Sequence, residues 1–281
     1  MTARASRPTL PAPPPLPPPP GFVARLCIGT GEPVVDVFKE VAGIYSVFVR
    51  TLYFSFRGRA ERGAVLREMY EIGNRSLLFI TVVMGFIGMI FVYQGGVQAQ
   101  RIIPDLTMLG ATYLEYLVRA LASDIGAMML ATRVGAGIAA AIGSMVVTEQ
   151  VDALRMCAAE PVDYLVVPRF KASLVMTVVL LIFGGVVACM TGYLTARYAF
   201  GQRWDQFFNL TLVRWSDVFI FVIKCVAYGA AIPVVSGYCG LTAYGGSEGV
   251  GSATTRAVVN SALAVIILNL VISAAGYIVF G

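Results

Sequence analysis

The sequence predicts an all-α integral membrane protein, from its composition and from five long apolar segments. Of its 281 residues, 58% are hydrophobic and only 13% are charged, whereas about a quarter are charged in an ordinary soluble domain. Each of the five segments is long enough to approach the roughly 20 helical residues that cross the hydrocarbon core of a bilayer. The modest net charge of +5 fits a role in membrane topology rather than binding to nucleic acid.

Charges inside the apolar segments mark where water, protein or a ligand is expected. The predicted spans cover residues 77–93, 125–147, 172–194, 218–235 and 257–280. Only the second and fourth contain a charge, Arg133 and Lys224 respectively. A charge in a span costs several kcal/mol unless it faces water, protein or an anion. Lys224 is therefore expected either to extend to the outer interface or to meet a lipid phosphate between helices.

The second span has two further features. We expect it to begin earlier, near Leu106 or Leu114, so that a part accessible to water carries three charges: Glu115, Arg119 and Asp124. Three small residues lie four apart on one face: Gly135, Ala139 and Gly143. Small residues let helix backbones approach closely. This face is therefore a contact face, either within the chain or between two copies of it.

The distribution of Lys and Arg predicts the orientation in the membrane. Six flank the first span on its N-terminal side, three follow the second span and one follows the fourth, which places ten on one side against five on the other. The richer side is normally cytoplasmic. We therefore expect a cytoplasmic N-terminus and a C-terminus that faces the periplasm.

The region before the first span divides into two parts. Residues 1–32 are predicted to be a disordered Pro-rich tail, a spacer or a docking segment, because nine of the first 20 residues are proline. The tail has no apolar stretch after Arg7 and so does not resemble an ordinary signal peptide. Residues 33–75 are predicted to form an interfacial amphipathic helix, with Pro33 in its first turn, and a cytoplasmic connector.

Several kinds of chemistry lack their residues in this chain. There is no histidine, and the five cysteines are scattered, which argues against zinc sites and His-based triads. GGSEG at residues 245–249 matches the pattern of a hydrolase elbow with Ser247 as nucleophile, but no strand is predicted before it. No glycine-rich stretch is followed by Lys-Ser or Lys-Thr, as a P-loop requires. We expect neither catalysis nor a cofactor or metal.

The segment GSMVVTEQVDALRM, residues 143–156, places charges between two apolar spans. Thr148 is predicted to cap a short helix that has Glu149 and Asp152 in its first turn and Arg155 near its end. Such a helix, near residues 148–158, forms a rigid projection in a tight cytoplasmic loop.

Four motifs in order resemble the MlaE/YrbE permeases, the membrane subunits of Mce-associated ABC lipid transporters. They are EIGNRSL, RVGAGIAAAIGSMVVTEQVDAL, EPVDYLVVPR and GSEGVGSATTRAVVNS, and the resemblance covers about residues 48–278. It implies an inner-membrane homodimer with a lipid pocket between the copies that opens toward the periplasm.

The resemblance also implies partners and site residues. The charged segment is similar to a coupling helix that enters a groove of a cytoplasmic ABC ATPase, through Glu149, Gln150, Asp152, Leu154 and Arg155. A periplasmic Mce-domain hexamer and a small STAS-domain protein are the other expected partners. Residues near the lipid headgroup map onto Arg119 and Lys224, and Tyr93, Gln94 and residues 97–106 are expected at the mouth of the pocket.

The chain departs from the family pattern at two acids. The pattern Leu-Arg-Glu-Leu-Gly-Pro reads VRALAS here, so Ala120 replaces the first acid, and Ala141 replaces a second in AAAIG. We therefore expect Arg119, Arg133 and Lys224 to have fewer internal partners and the pocket to favour an anionic headgroup.

The predicted function is a permease that moves phospholipid or another acyl lipid between the inner membrane and a periplasmic Mce conduit. A separate ATPase supplies the energy. The alternative is a transport-impaired scaffold that anchors Mce proteins.

Overall fold

Helices make up most of the part of the chain that the computed structural model describes, which is residues 22–57, 62–102 and 108–280. In chain order they are α1 (Phe22–Arg57), α2 (Arg62–Ile102), α3 (Leu109–Val147), α4 (Gln150–Met156), α5 (Val162–Phe200), α6 (Trp204–Phe207), α7 (Trp215–Leu241) and α8 (Gly246–Phe280). Within these ranges no strand occurs, so the predicted all-α class is confirmed.

Five of the helices, α2, α3, α5, α7 and α8, are long and apolar enough to cross a membrane. Their number and order confirm the five predicted spans. The helices are longer than the apolar segments, because backbone hydrogen bonding within a helix continues outside the apolar part until the sequence ends the helix. α8 begins at a turn through Gly245 and Gly246, which have φ of 89° and 74° and suit glycine. The GGSEG stretch at residues 245–249 is therefore mostly helix.

The chain divides into two compact units, residues 1–42 and 43–281. Residues 1–21, most of the predicted tail, lie outside the described part. The rest of the first unit belongs to α1, which begins at Phe22 and not at Pro33 as predicted, because no proline occurs between Pro20 and Pro33 to prevent a helix. In this unit Val35, Phe38 and Val41 are exposed.

The second unit contains the C-terminal part of α1, which is amphipathic as predicted. Thr51 is fully buried, and a side chain at Gly43 would overlap the ring of Tyr238 in α7, so this face packs on the spans. The opposite face exposes large apolar side chains: Tyr45, Phe48, Val49, Leu52 and Phe56. An exposed apolar face on a helix before the spans is what an interfacial helix requires, and the membrane placement stays a prediction.

Glycine allows the closest contact between two spans, α2 and α5. A Cβ built on Gly88 would lie 2.3 Å from the carbonyl oxygen of Ala188, so no side chain fits there. This close approach is typical of helix pairs in membranes.

The small-residue face of α3 packs within the chain. Gly135 lies against Ser236 and Ser261, and the Ser236 and Ser261 hydroxyls are 3.2 Å apart. Ala139 is fully buried, and Gly143 lies against Ala243 and Val250 of the α7–α8 region. In the single chain α7 and α8 cover this face, which favours the first of the two alternatives, packing inside one chain.

Aromatic side chains close the end of the bundle that carries α6. Phe207 is fully buried, and its ring centroid lies 5.9 Å from that of Tyr113 and 5.6 Å from that of Tyr193. The Trp204 ring meets the Tyr193 ring edge to face, with the centroids 4.8 Å apart. This cluster holds the α5–α7 connection on the spans beside the start of α3.

Candidate functional site

Two π-helical stretches interrupt α3 at its charged residues. Leu117–Ile125 contains Arg119 and Asp124, and Ala131–Gly135 contains Arg133. A π-helical turn changes which way the following side chains face, and such turns are rare and frequent at functional sites. The helix geometry therefore changes at the residues whose charge must be accommodated.

Lys224 of α7 and Asp124 of α3 form a buried ion pair. Lys224 is 2% exposed, and its Nζ donates to Asp124 Oδ1 and Oδ2 at 3.3 and 3.4 Å and to the backbone oxygen of Arg119 at 3.2 Å. Asp124 Oδ1 also accepts hydrogen bonds from the Tyr228 hydroxyl at 2.9 Å and the Ser123 hydroxyl at 3.0 Å. Both charges are therefore paired and hydrogen-bonded, which is what burial requires.

This pair corrects the expectation that Lys224 lacks internal partners. The acid missing at Ala120 occurs four residues later at Asp124, and positions four apart share a helix face. Lys224 does not extend to the outer interface either, since its ammonium is buried against α3. The sequence contained the signal, an acid one turn after the vacant position, but gave no indication that α3 and α7 bring it to Lys224.

A cavity of about 360 Å³ lies beside this pair and is called the Lys224 cavity. Its wall includes Glu115, Arg119, Thr211, Leu212, Arg214, Ser216, Asp217, Ile220, Lys224, Ser273, Gly276 and Tyr277. The structure thus brings Arg119 and Lys224 together, as the resemblance implies, between α3, α7 and α8.

The charges of the Lys224 cavity nearly balance. Arg119 Nη1 lies 3.8 Å from Glu115 Oε1, and Lys224 is neutralised by Asp124. Asp217 accepts a hydrogen bond from the backbone N–H of Arg214 at 3.1 Å. The three cations on the wall are therefore matched by Glu115, Asp217 and the adjoining Asp124. The expected electropositive pocket is not what these residues form.

Tyr93 and Gln94 do not join this group of residues in the single chain. Both are exposed on α2, and the Tyr93 ring lies 6.3 Å from that of Phe200. Neither lines the Lys224 cavity. Residues 103–106 of the expected mouth lie outside the described part of the chain.

The short helix α4 packs on the end of α3 as an exposed projection. Val151 is 3% exposed, and Leu154 packs partly buried against the core, so these two side chains anchor the helix. Glu149, Gln150, Asp152 and Arg155 are exposed. Asp152 and Arg155 form an ion pair of 3.1 Å on that outer face.

Thr148 does not cap α4 as predicted. Its hydroxyl donates back to the carbonyl oxygen of Ser144 at 2.8 Å, and it ends α3 instead. Glu149 precedes α4 in the left-handed conformation with φ of 58°. The reason is that only two residues, Thr148 and Glu149, join the two helices, and the backbone changes direction at Glu149.

An ion pair ties α1 to the segment after α4. Arg50 Nη1 lies 3.3 Å from Glu160 Oε1, and both side chains are partly exposed. The contact places the amphipathic helix next to the exit of the projecting helix.

A second cavity, of about 160 Å³, surrounds Arg133 and is called the Arg133 cavity. Arg133 shares it with Arg75 and Arg169, which flank the first and third spans, and with Ala141. Arg133 therefore lies beside charged residues at the ends of neighbouring spans, although the candidate span Leu109–Val147 contains it. The reason is that α3 runs past its neighbours, so residues 109–132 cross beside their apolar parts.

Ser247 lies exposed in the first turn of α8. A hydrolase elbow needs a strand before the serine, and in the described ranges a helix and a turn precede it. The geometry gives no support to a nucleophile at this position.

Comparison with known proteins identifies the family. The model of the permease MlaE family matches residues 65–275, which includes α3, α4, α5 and α7 and most of α2 and α8. The chain belongs to the MlaE permease family. It is 34% identical over 245 residues to a probable ABC transporter permease protein of Synechocystis, covering 84% of this chain and 90% of that protein.

Two further relatives span much of the chain. The intermembrane phospholipid transport system permease protein MlaE of Haemophilus influenzae is 30% identical over 266 residues, covering 92% of this chain and 99% of that protein. The chloroplastic protein TRIGALACTOSYLDIACYLGLYCEROL 1 of Arabidopsis thaliana is 31% identical over 219 residues, covering 77% of this chain and 62% of that protein. The family match begins at residue 65, so the Pro-rich tail and all of α1 lie outside the matched region.

Proposed function

We propose that the chain is the permease subunit of an ABC-type transporter that moves phospholipid between the bacterial inner membrane and a periplasmic Mce-protein conduit. A separate cytoplasmic subunit hydrolyses ATP. The observation that carries the proposal is α4, a charged helix that projects from the junction of two membrane spans. The name of the Haemophilus relative, a phospholipid transport permease, supports the substrate class.

The geometry of α4 suits the transmission of force from an ATPase. Its outer face offers Glu149, Asp152 and Arg155 to a partner, while Val151 is buried beneath them. A push on the exposed side is passed to the end of α3, since a turn of only two residues, Thr148 and Glu149, joins the two helices. The opposite part of α3 lines the Lys224 cavity through Glu115 and Arg119.

The Lys224 cavity is the proposed headgroup site. A phospholipid pocket needs polar groups at one end and apolar surface for the acyl chains. Because the cavity balances its cations with acids, we expect a zwitterionic headgroup in place of the anionic one first predicted. Its phosphate is expected to meet Arg119, which is half exposed, and its cation to meet Glu115.

The partners follow from the same proposal. We expect a homodimer, an Mce hexamer on the periplasmic side and a STAS-domain protein with the ATPase. Apolar side chains of α7 remain exposed in the single chain, among them Trp215, Phe219 and Val222, and α8 exposes most of its apolar residues. These surfaces are available to lipid and to a second copy. Tyr93 and Gln94 are proposed to reach the pocket only in the dimer.

The test is ATP-dependent lipid movement with an altered α4. Wild type and a Glu149→Arg, Asp152→Arg variant are co-expressed with the partner ATPase, purified and reconstituted with an Mce acceptor and a fluorescent phospholipid. We expect wild type to retain the ATPase and to move lipid when ATP is added. The variant is expected to lose both, because two acidic contacts become repulsive.

A matched control carries its charge reversal elsewhere. Asp205→Arg changes an equally exposed acid on α6, at the opposite end of the bundle, and is expected to behave as wild type. If the double variant retains the ATPase and transports normally, α4 is not the coupling helix. If wild type binds Mce protein but ATP moves no lipid, the scaffold function replaces transport.

A further inference from the structure

The Arg133 cavity is separate from the Lys224 cavity, and the proposed transport mechanism does not use it. It lies between α2, α3 and the start of α5. Three guanidinium groups line it, those of Arg75, Arg133 and Arg169, against the two carboxylates of Glu68 and Glu71. Its own charges therefore leave one cation in excess.

The pairing inside the cavity is incomplete. Arg169 Nε donates to Glu68 Oε1 at 3.2 Å, but Arg169 is only 8% exposed and its Nη1 has no hydrogen-bond partner among the described residues. A buried guanidinium N–H without an acceptor is destabilising. This atom is open to an acceptor that enters the cavity.

The other two arginines also have donors to spare. Arg75 and Arg133 make no ion pair or side-chain hydrogen bond within the described part of the chain, and Glu71 is paired outward with Arg67 at 4.0 Å. Arg133 projects from the π-helical stretch Ala131–Gly135, a deviation frequent at functional sites. Three arginines thus converge on one space with free N–H groups.

The size and walls of the cavity limit what can fill it. Its volume of about 160 Å³ exceeds the roughly 10–15 Å³ that one water needs, so a group of several atoms fits, but an entire lipid does not. Ala141 contributes only a methyl group to the wall and leaves room where a larger side chain would reach the arginines.

We propose that the Arg133 cavity binds a phosphate-type oxyanion. Guanidinium groups favour planar or tetrahedral oxyanions because several N–H groups can donate to one anion. The group is either the phosphate of a phospholipid headgroup or free inorganic phosphate. This site is additional to the headgroup site proposed at Lys224, and it does not depend on transport.

The experiment uses the purified, delipidated full-length protein in detergent, without the ATPase. Inorganic phosphate and, separately, dihexanoylphosphatidylglycerol are titrated in, against sodium chloride at equal ionic strength, and the thermal unfolding midpoint is measured. We expect a saturable rise of about 2 °C or more in wild type, since a ligand that binds only the native state stabilises it. A rise with phosphate identifies the free anion, and a rise with the lipid alone identifies a headgroup.

Three variants locate the site. Ala141→Glu places a carboxylate in the cavity and is expected to abolish the rise, and Arg133→Gln, at an exposed and unpaired side chain, is expected to reduce it by more than half. Ala140→Glu makes the same change one residue away, outside the cavity lining, and should retain the rise. The proposal is overturned if neither probe shifts wild type, or if Ala141→Glu and Arg133→Gln keep the full shift. Loss of ATP-driven transport would leave these results unaffected.

Discussion

Lys224 Nζ lies 3.3 Å from Asp124 Oδ1, although 100 positions separate the two residues in the chain. The pair joins α3 to α7 within the apolar part of the bundle, with side-chain exposures of 2% for Lys224 and 18% for Asp124. In that environment neither charge is stable without the other. The pair therefore fixes the register of the two helices beside the proposed headgroup site.

Removing one partner of this pair is expected to be strongly destabilising. Asp124→Asn leaves the buried ammonium of Lys224 without its counter-charge, and such a loss costs about 3–5 kcal/mol. We expect a large fall in the thermal unfolding midpoint of the purified protein. The double variant Asp124→Asn, Lys224→Met, which removes both charges, should recover most of the lost stability. Equal stability of Asp124→Asn and wild type would contradict the ion pair.

The acid at position 124 is expected to be replaceable from position 120. Ala120 precedes Asp124 by four residues on the same face of α3, and it is only partly buried. Ala120→Glu is therefore expected to restore part of the stability and lipid binding that Asp124→Ala loses. The measurement is the unfolding midpoint together with the lipid retained after purification. Thr112→Glu adds an acid at an exposed position on a different face of α3, and it should restore neither stability nor lipid binding.

Two other ion pairs are expected to differ in their contribution to stability. Arg169 and Glu68 are 10% and 27% exposed, whereas Arg50 and Glu160 are 59% and 46% exposed. Glu68→Gln should lower the free energy of unfolding by more than about 2 kcal/mol, since it leaves a buried guanidinium unpaired. Glu160→Gln should lower it by less than about 1 kcal/mol, as exposed pairs contribute little. Chemical denaturation in detergent measures both, and equal effects would contradict the difference in burial.

The proposed orientation predicts which side of the membrane reaches Cys157. This cysteine is exposed beside α4, whereas Cys225 and Cys239 are buried. In a Cys27→Ser background, a maleimide that cannot cross membranes should label inverted vesicles and leave intact spheroplasts unlabelled. Cys157→Ser provides the control without signal. Labelling of intact spheroplasts would place α4 in the periplasm and reverse the topology.

The parts of the candidate site that a local sequence pattern defines were predictable. The charges of Glu149, Asp152 and Arg155 lie between two apolar spans, and this local pattern predicts the exposed short helix. Arg119 and Lys224 were expected near one lipid headgroup; they line one cavity of the single chain, and lipid binding there stays a prediction. Asp124 was noticed as a charge but not as the partner of Lys224, because contacts between distant helices leave no signal in a single sequence.

The sequence by itself determined the membrane class, the number of spans and the family. These follow from apolar length and local motifs, since the bilayer demands about 20 apolar residues in each crossing helix whatever their neighbours. The tertiary structure alone decided how the charges are distributed. The shift of each helix along its axis relative to its neighbours places Arg133 with Arg75 and Arg169 and brings Asp124 to Lys224. This shift depends on side-chain packing between spans, as where Gly88 contacts the Ala188 backbone. Such packing is a property of the assembled bundle.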